Sequence, residues 1–266
     1  MIDTHCHLTS SRYHESTADI LADAQQHGVT GAITVSTTSE DAKHCLDLAL
    51  SFPNVWCSAG VHPLNCDEPV HWPDILSIAK HPRCVAWGEL GLDNHYDDPP
   101  RPLQDQILEE QLTLIEESNI DKPIIVHCRD AFDDLLPILK NTTLPPHRFV
   151  FHCFTSGEAE ARRVLDFGAW VSFTGVVTFK NSQSVRDACL LVPDDRIMIE
   201  TDAPFLTPEP YRKIRTNSPR YSIETARFVA KLRNIQWDDF HHLINENAER
   251  FFSISIPIST PTPSQP

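Results

Sequence analysis

No stretch of this chain of 266 residues approaches the roughly 20 consecutive apolar residues of a membrane-spanning helix, so no helical span is expected. The opening Met1-Ile2-Asp3-Thr4-His5 leads straight into a β-forming run, with no basic segment and no small-residue cleavage site. A secretory signal is therefore not expected, and the cytoplasm is the expected compartment. The eight cysteines include no Cys-x-x-Cys pair, which argues against a disulfide framework or a thiolate zinc site. No Gly-x-Gly-x-x-Gly follows the first β-run, which disfavours an open dinucleotide-binding sheet. No Gly-x-Ser-x-Gly elbow is present either, which disfavours a serine hydrolase. Positive charge is scarce: 22 Lys and Arg face 37 Asp and Glu, a net charge of −15. Such a surface does not adhere to nucleic acid as a whole. A local basic rim with bound cations can still reverse the field at one place.

What the chain does have is alternation. Runs of β-formers bounded by turn residues fall at 1–7, 31–37, 55–63, 84–93, 123–130, 148–154, 169–175 and 196–204. Helical spacing fills about 13–27, 39–51, 72–80, 103–119, 130–140, 156–167, 180–191 and 222–233. Strands alternating with helices pair in parallel. Eight units in a chain near roughly 250 residues predict a single-domain (β/α)8 TIM barrel over 1–252. An extra helix near 236–250 is expected to pack outside it. The end, 253–266, carries four prolines and no charge and reads as a disordered tail. A monomer is the default expectation.

His5, His7, Glu89, His127, His152 and Asp202 all fall at the carboxyl ends of predicted strands, where barrels of this kind place their chemistry. Strand alternation puts His5 and His7 on one face. It also turns Cys6, Cys128 and Cys153 away, toward the helix layer. Six such ligands are too many for one tetrahedral zinc with an open position. They suit two divalent metals sharing a bridging carboxylate and a bridging water. Glu89 is the natural bridge. Asp202 can bind one metal and also orient or deprotonate the water. Imidazoles and carboxylates without thiolate favour zinc or manganese, with magnesium where a substrate phosphate adds oxygens.

The segments Asp3-Thr-His-Cys-His-Leu, Gly60-Val-His-Pro, Gly88-Glu-Leu-Gly-Leu-Asp, Val126-His-Cys-Arg-Asp, Phe151-His-Cys-Phe and Glu200-Thr-Asp-Ala-Pro-Phe-Leu resemble, in order, the TatD family of metal-dependent deoxyribonucleases. That family sits within the amidohydrolase superfamily of metal-bearing TIM barrels. The resemblance implies that His5, His7 and Asp202 hold one metal, that His127 and His152 hold the second, and that Glu89 bridges. It implies phosphodiester hydrolysis in DNA, commonly from 3′ to 5′ and sometimes on RNA, by a water that two metals activate. Strand 4 offers Glu89 and no lysine, which favours the TatD branch over superfamily branches bridged by a carboxylated lysine. The alternative keeps the metals and changes the substrate to a small-molecule ester, amide or D-aminoacyl ester.

Around the ligands, His62 is expected to donate to a phosphate oxygen at the mouth. Arg129 is expected either to take a phosphate or to pair with Asp93 or Asp130. Asp3 is expected to hydrogen-bond a ligand imidazole, and Glu200 to make a buried structural hydrogen bond. Arg212, Lys213, Arg215 and Arg220 offer a path for a phosphate backbone, with Phe205, Tyr211 and Tyr221 as stacking surfaces. Family members often carry Arg-Asn-Glu-Pro here, whereas this chain reads Arg215-Thr-Asn217-Ser-Pro219. The loop 94–98 is expected to shape substrate entry, and its sequence assigns no role to any one of its residues.

Overall fold

The computed structural model describes residues 1–256; the remainder of the expected tail, 257–266, lies outside the described residues. The units run β1 (Ile2–Cys6), α1 (Thr17–Gln26), β2 (Gly31–Thr34), α2 (Ser39–Ser51), β3 (Val55–Ala59), α3 (Trp72–Lys80) and β4 (Cys84–Asp93). They continue through α4 (Arg101–Ser118), β5 (Ile124–Arg129), α5 (Phe132–Lys140), β6 (Phe149–Phe151), α6 (Glu158–Phe167), β7 (Trp170–Phe173) and α7 (Gln183–Leu191). The last are β8 (Ile197–Ile199), α8 (Ser222–Leu232) and α9 (Trp237–Phe252). The strands pair in parallel in sequence order, giving a nearly closed eight-stranded barrel ringed by helices. No helix among the described residues is long and apolar enough to cross a membrane.

Closure comes late along the strands. His7 N donates to Ala203 O at 2.7 Å, and Asp202 N donates to His5 O at 2.9 Å. These bonds join the end of β1 to the segment after β8, and so draw His5, His7 and Asp202 together. Several strands stop earlier than the β-forming runs suggest, because side chains take over their backbone bonds. Cys153 N donates to Glu200 Oε1 at 2.6 Å, and Thr201 N donates to Asp3 Oδ1 at 2.9 Å. Asp202 and Cys153 both have a left-handed φ, at 55° and 45°. Strict alternation has ended by these points. Cys153 accordingly lies along the mouth near Thr174, not in the helix layer, whereas Cys6 is fully buried with the helices as expected.

The floor of the barrel is apolar. Ile2, Ile33, Trp56, Val85, Ile125, Val150, Trp170 and Met198, one from each strand, pack with Ala248, Phe251 and Phe252 of α9. Each large side chain so buried contributes about 1.5–3 kcal/mol. Thus the end of α9 plugs the amino-terminal end of the barrel; it does not only lie outside. Ile254 joins the same cluster, so packing continues past the expected boundary at 252. With that end sealed, polar chemistry is left to the carboxyl end. Two glycines set the strand spacing there. A Cβ on Gly60 would lie 2.5 Å from Gly88 Cα, and one on Gly91 (φ +148°) would lie 1.9 Å from His127 O. Side chains at either position would drive β4 away from β3 or β5 and displace Glu89 from its neighbours.

Candidate metal centre

Glu89 is 1% exposed, and its two oxygens face different groups. Oε2 lies 3.3 Å from His5 Nε2 and 3.9 Å from His7 Nε2. His7 Nε2 is in turn 3.4 Å from Asp202 Oδ1. Oε1 lies 2.8 Å from His127 Nδ1 and 3.5 Å from His62 Nε2, and is also in contact with His152 Nε2. His5, His7 and Asp202 form one set of atoms close enough to share an ion, His62, Glu89 and His127 form another, and His5, His152 and Glu200 a third. One buried carboxylate therefore stands between two donor groups.

The far nitrogens fix which lone pairs are available. His7 Nδ1 donates to Val35 O at 2.9 Å, leaving Nε2 free for a cation. His127 Nε2 donates to Asp93 Oδ2 at 2.9 Å, which turns Nδ1 toward Glu89 Oε1 and His62 Nε2. His152 Nδ1 faces Glu200 Oε1 at 3.5 Å, leaving Nε2 free. His62 is the opposite case. Its Nδ1 accepts from Leu64 N at 3.0 Å, so the neutral ring carries its proton on Nε2, 3.1 Å from His127 Nδ1.

A profile for the TatD-related DNases matches residues 2–253. The chain belongs to this family. It is similar to the uncharacterized metal-dependent hydrolase YcfH of Escherichia coli strain K12, with 36% identity over 257 residues and 96% of each chain covered. It is 30% identical over 260 residues to the 3′-5′ ssDNA/RNA exonuclease TatD of Salmonella typhimurium strain LT2, covering 96% of this chain and 99% of that one. The solved structure of the TatD homolog YJJV from Escherichia coli K12 superposes with a TM-score of 0.89 at 27% identity, over 96% of this chain and 98% of that one. The protein is thus a metal-dependent hydrolase of the TatD family.

The residues fit divalent cations. His5 Nδ1, His5 Nε2 and Glu89 Oε2 are buried and make no hydrogen bond, although His5 Nε2 and Glu89 Oε2 face each other. Unpaired buried polar atoms are costly, and a cation between them satisfies both. The donor set of imidazole and carboxylate is one that zinc and manganese accept. In the metal-free protein, protons stand in. Burial pushes the His7 pKa down, but Asp202's hydrogen bond and charge outweigh it and raise the value to about 9. His152 is held well above the ordinary range by Glu89 and Glu200 against the cost of burial. Burial opposes ionisation of Glu89, yet the imidazoles facing it, His152 first, hold it well below the usual carboxylate range.

A cation needs neutral imidazoles, so it must expel the His7 proton. Because that proton leaves freely only above a pH of about 9, metal affinity is expected to climb with pH through neutrality. The slope is roughly tenfold per pH unit for each proton displaced. Calorimetric titration in buffers of different ionisation enthalpy checks the count; heats independent of buffer would contradict it.

The TatD-family mouth opens into a pocket of about 850 Å³, within the range of ligand sites. His7, His62, Glu89, His127, Arg129, His152 and Asp202 line it. Arg129 does not pair with Asp93 or Asp130 among the described residues; it lies over the Tyr96 ring at 5.3 Å. The basic loop is less well placed than the sequence suggests. Arg212 packs over Phe179 at 3.8 Å, and neither it nor Arg215 lines the pocket. Arg220 is bound to Asp23 at 3.1 Å. Tyr221 is buried and rests 4.9 Å from Tyr211, so of the three expected stacking surfaces only Phe205 faces the pocket.

Three positioning residues went unanticipated by the sequence, and one expected partner differs. Asp3 bonds the main chain of His5, at 3.4 Å, and Thr201, not a ligand imidazole. The imidazole partner is Asp93. Gln104 accepts from Asp93 N at 2.9 Å and donates to Asp93 O at 3.0 Å. Gln111 does the same for Val61, the residue before His62. Both glutamines are buried on the apolar stripe of α4. That stripe was the available signal, since Gln104 and Gln111 stand where the helical period calls for apolar side chains. Gln104→Leu is expected to destabilise the fold by about 1–3 kcal/mol, because it leaves the Asp93 peptide unpaired. Denaturant unfolding would measure it, and unchanged stability would dismiss the clamp.

Proposed function

We propose that this protein hydrolyses phosphodiester bonds in single-stranded DNA, from the 3′ end, with RNA as an accessible substrate. The observation that carries the reading is the division of Glu89's oxygens between two donor groups inside a pocket flanked by Arg129. His5, His7 and Asp202 would hold one cation, His127 and His152 a second, and Glu89 both. Cations held there acidify water and polarise a phosphoryl oxygen. Asp202, with its side chain 16% exposed, is the carboxylate that water can reach and the natural acceptor of the nucleophile's proton. His62 Nε2–H and the Arg129 guanidinium are the donors for phosphate oxygens. Support for a nucleic-acid substrate comes from the relative named as a 3′-5′ ssDNA/RNA exonuclease.

A second reading, hydrolysis of a small-molecule ester, amide or D-aminoacyl ester, is favoured by the pocket lining, which includes neither Arg212 nor Arg215. One experiment separates them. Metal-stripped protein is incubated with 5′-end-labelled single-stranded DNA, and Mg²⁺, Mn²⁺ or Zn²⁺ is restored in turn. A ladder shortening from the 3′ end is expected with at least one cation. Intact DNA with every cation, in protein that has bound metal, would refute the nuclease reading and favour the small substrate.

A further inference from the structure

We propose that Tyr96 and Phe205 are two stacking platforms, each taking an unpaired nucleobase of a single-stranded polynucleotide on either side of the metal centre; this deepens the nuclease reading and rests on it. Tyr96 follows β4 and Phe205 follows β8. In a ring of eight strands these positions lie across the mouth from each other. Tyr96 is 50% exposed and Phe205 is 38% exposed, and of the large exposed hydrophobic side chains these two line the pocket. An aromatic ring left to water at both sides of a polar mouth is a surface awaiting a partner.

Each ring already carries an arginine. The Arg12 guanidinium lies 4.6 Å from the Phe205 centroid and that of Arg129 lies 5.3 Å from the Tyr96 centroid. Neither guanidinium pairs with a carboxylate or donates a hydrogen bond among the described residues, whereas Arg101 and Arg233 bond carboxylates and Arg83 and Arg186 bond main-chain oxygens. In a chain of net charge −15, Arg129 in the pocket lining and Arg12 on the Phe205 ring put positive charge on both sides of the mouth. A guanidinium laid on a ring keeps its in-plane N–H groups for a phosphate while its face packs. The pairing therefore supplies base and phosphate contacts together, one on each side.

The placement relative to the ligands completes the argument. The His7 ring lies edge-on to Phe205 at 6.3 Å, so a base on Phe205 sits beside the first donor group. Arg129 stands two residues beyond His127 on β5, so a phosphate it holds sits beside the second. A strand crossing the mouth thus meets a platform before and after the phosphate presented to Glu89. Duplex substrates keep their bases stacked and paired, and opening them costs free energy. Stacking a free base on an aromatic side chain is worth about 5- to 150-fold in affinity per base.

The test uses pentamers with a single 2-aminopurine moved along the strand, in DNA and RNA series, bound to metal-stripped protein. Stacked 2-aminopurine loses fluorescence. Quenching is expected at two separated positions. Tyr96→Ala should abolish one and Phe205→Ala the other, each weakening binding at least fivefold, while Tyr96→Phe keeps both quenching and affinity. An abasic site at either position should weaken the wild type and leave the matching variant no worse. Equal losses in DNA and RNA assign the contact to the base; losses in one series assign the platforms to that polymer. Variants that bind and quench like the wild type, or a wild type that binds abasic and base-bearing strands alike, or binds neither, would overturn the proposal. The underlying reading fails separately. Base stacking without any cleavage when metal is restored removes the nuclease and keeps the platforms. Cleavage with unchanged kcat/KM in both variants removes the platforms and keeps the nuclease.

Discussion

Glu89→Ala is expected to lower hydrolysis by roughly a thousandfold or more while the barrel still folds. The reason lies in the division of labour between its oxygens. Oε2 faces His5 and His7, and Oε1 faces His62, His127 and His152. Without the carboxylate the two donor groups lose their shared anion, and the clustered imidazoles are left to repel one another's protons. The variant should therefore lose bound metal as well as turnover. The floor cluster at the opposite end and the packing of α4 involve none of these atoms, so circular dichroism should show an intact fold. Glu89→Gln, similar in shape but uncharged, separates charge from packing and should fail almost as badly. Metal content by elemental analysis and initial rates on a cleavable substrate measure both effects. A Glu89→Ala protein that keeps stoichiometric metal and full turnover would mean that the centre lies elsewhere.

The gathering of these side chains was legible because it depends on main-chain topology. Eight β-forming runs alternating with helices specify a barrel, and a barrel brings strand ends to one mouth. His5, His7, Glu89, His127, His152 and Asp202 needed little more than that. What the sequence could not supply was side-chain direction beyond the strands. Past Ile199 the ladder stops, and Asp202 adopts a left-handed φ, so alternation no longer predicts orientation. Arg212 and Arg220 look like a basic rim in a one-dimensional count, yet one is spent on Phe179 and the other on Asp23. Asp93 reads only as a neighbour for Arg129 until β4 and β5 are in register. Asp93 then pairs with Arg129 in the ladder, while its carboxylate reaches His127 Nε2. The stripe of α4 marks Gln104 and Gln111 as polar residues out of place, but only the folded chain shows that they clamp Asp93 and Val61. Local pattern finds the donor cluster; tertiary packing finds what steers it.

Asp202→Asn is expected to produce a different failure from the loss of Glu89. Burial alone would raise the Asp202 pKa, but the hydrogen bond and charge of His7, followed by His5, hold it below the ordinary carboxylate value. The group is thus ionised at neutral pH and, being the more exposed of the two carboxylates, open to water. Asparagine keeps an oxygen in the same place and removes the ability to take a proton. Loss of a positioned general base lowers kcat by about 10²- to 10⁴-fold, with KM changing little. Some metal affinity should go too, since an amide oxygen is a weaker ligand than a carboxylate. Saturating metal distinguishes the two roles. If Asp202 serves only to hold a cation, excess Mn²⁺ restores the variant's rate. If it accepts the proton, the rate stays low however much metal is bound, because His5 and His7 still provide a seat and nothing replaces the base. Full recovery at high metal would reassign Asp202 to ligation alone and leave the proton to be taken by another group at the mouth.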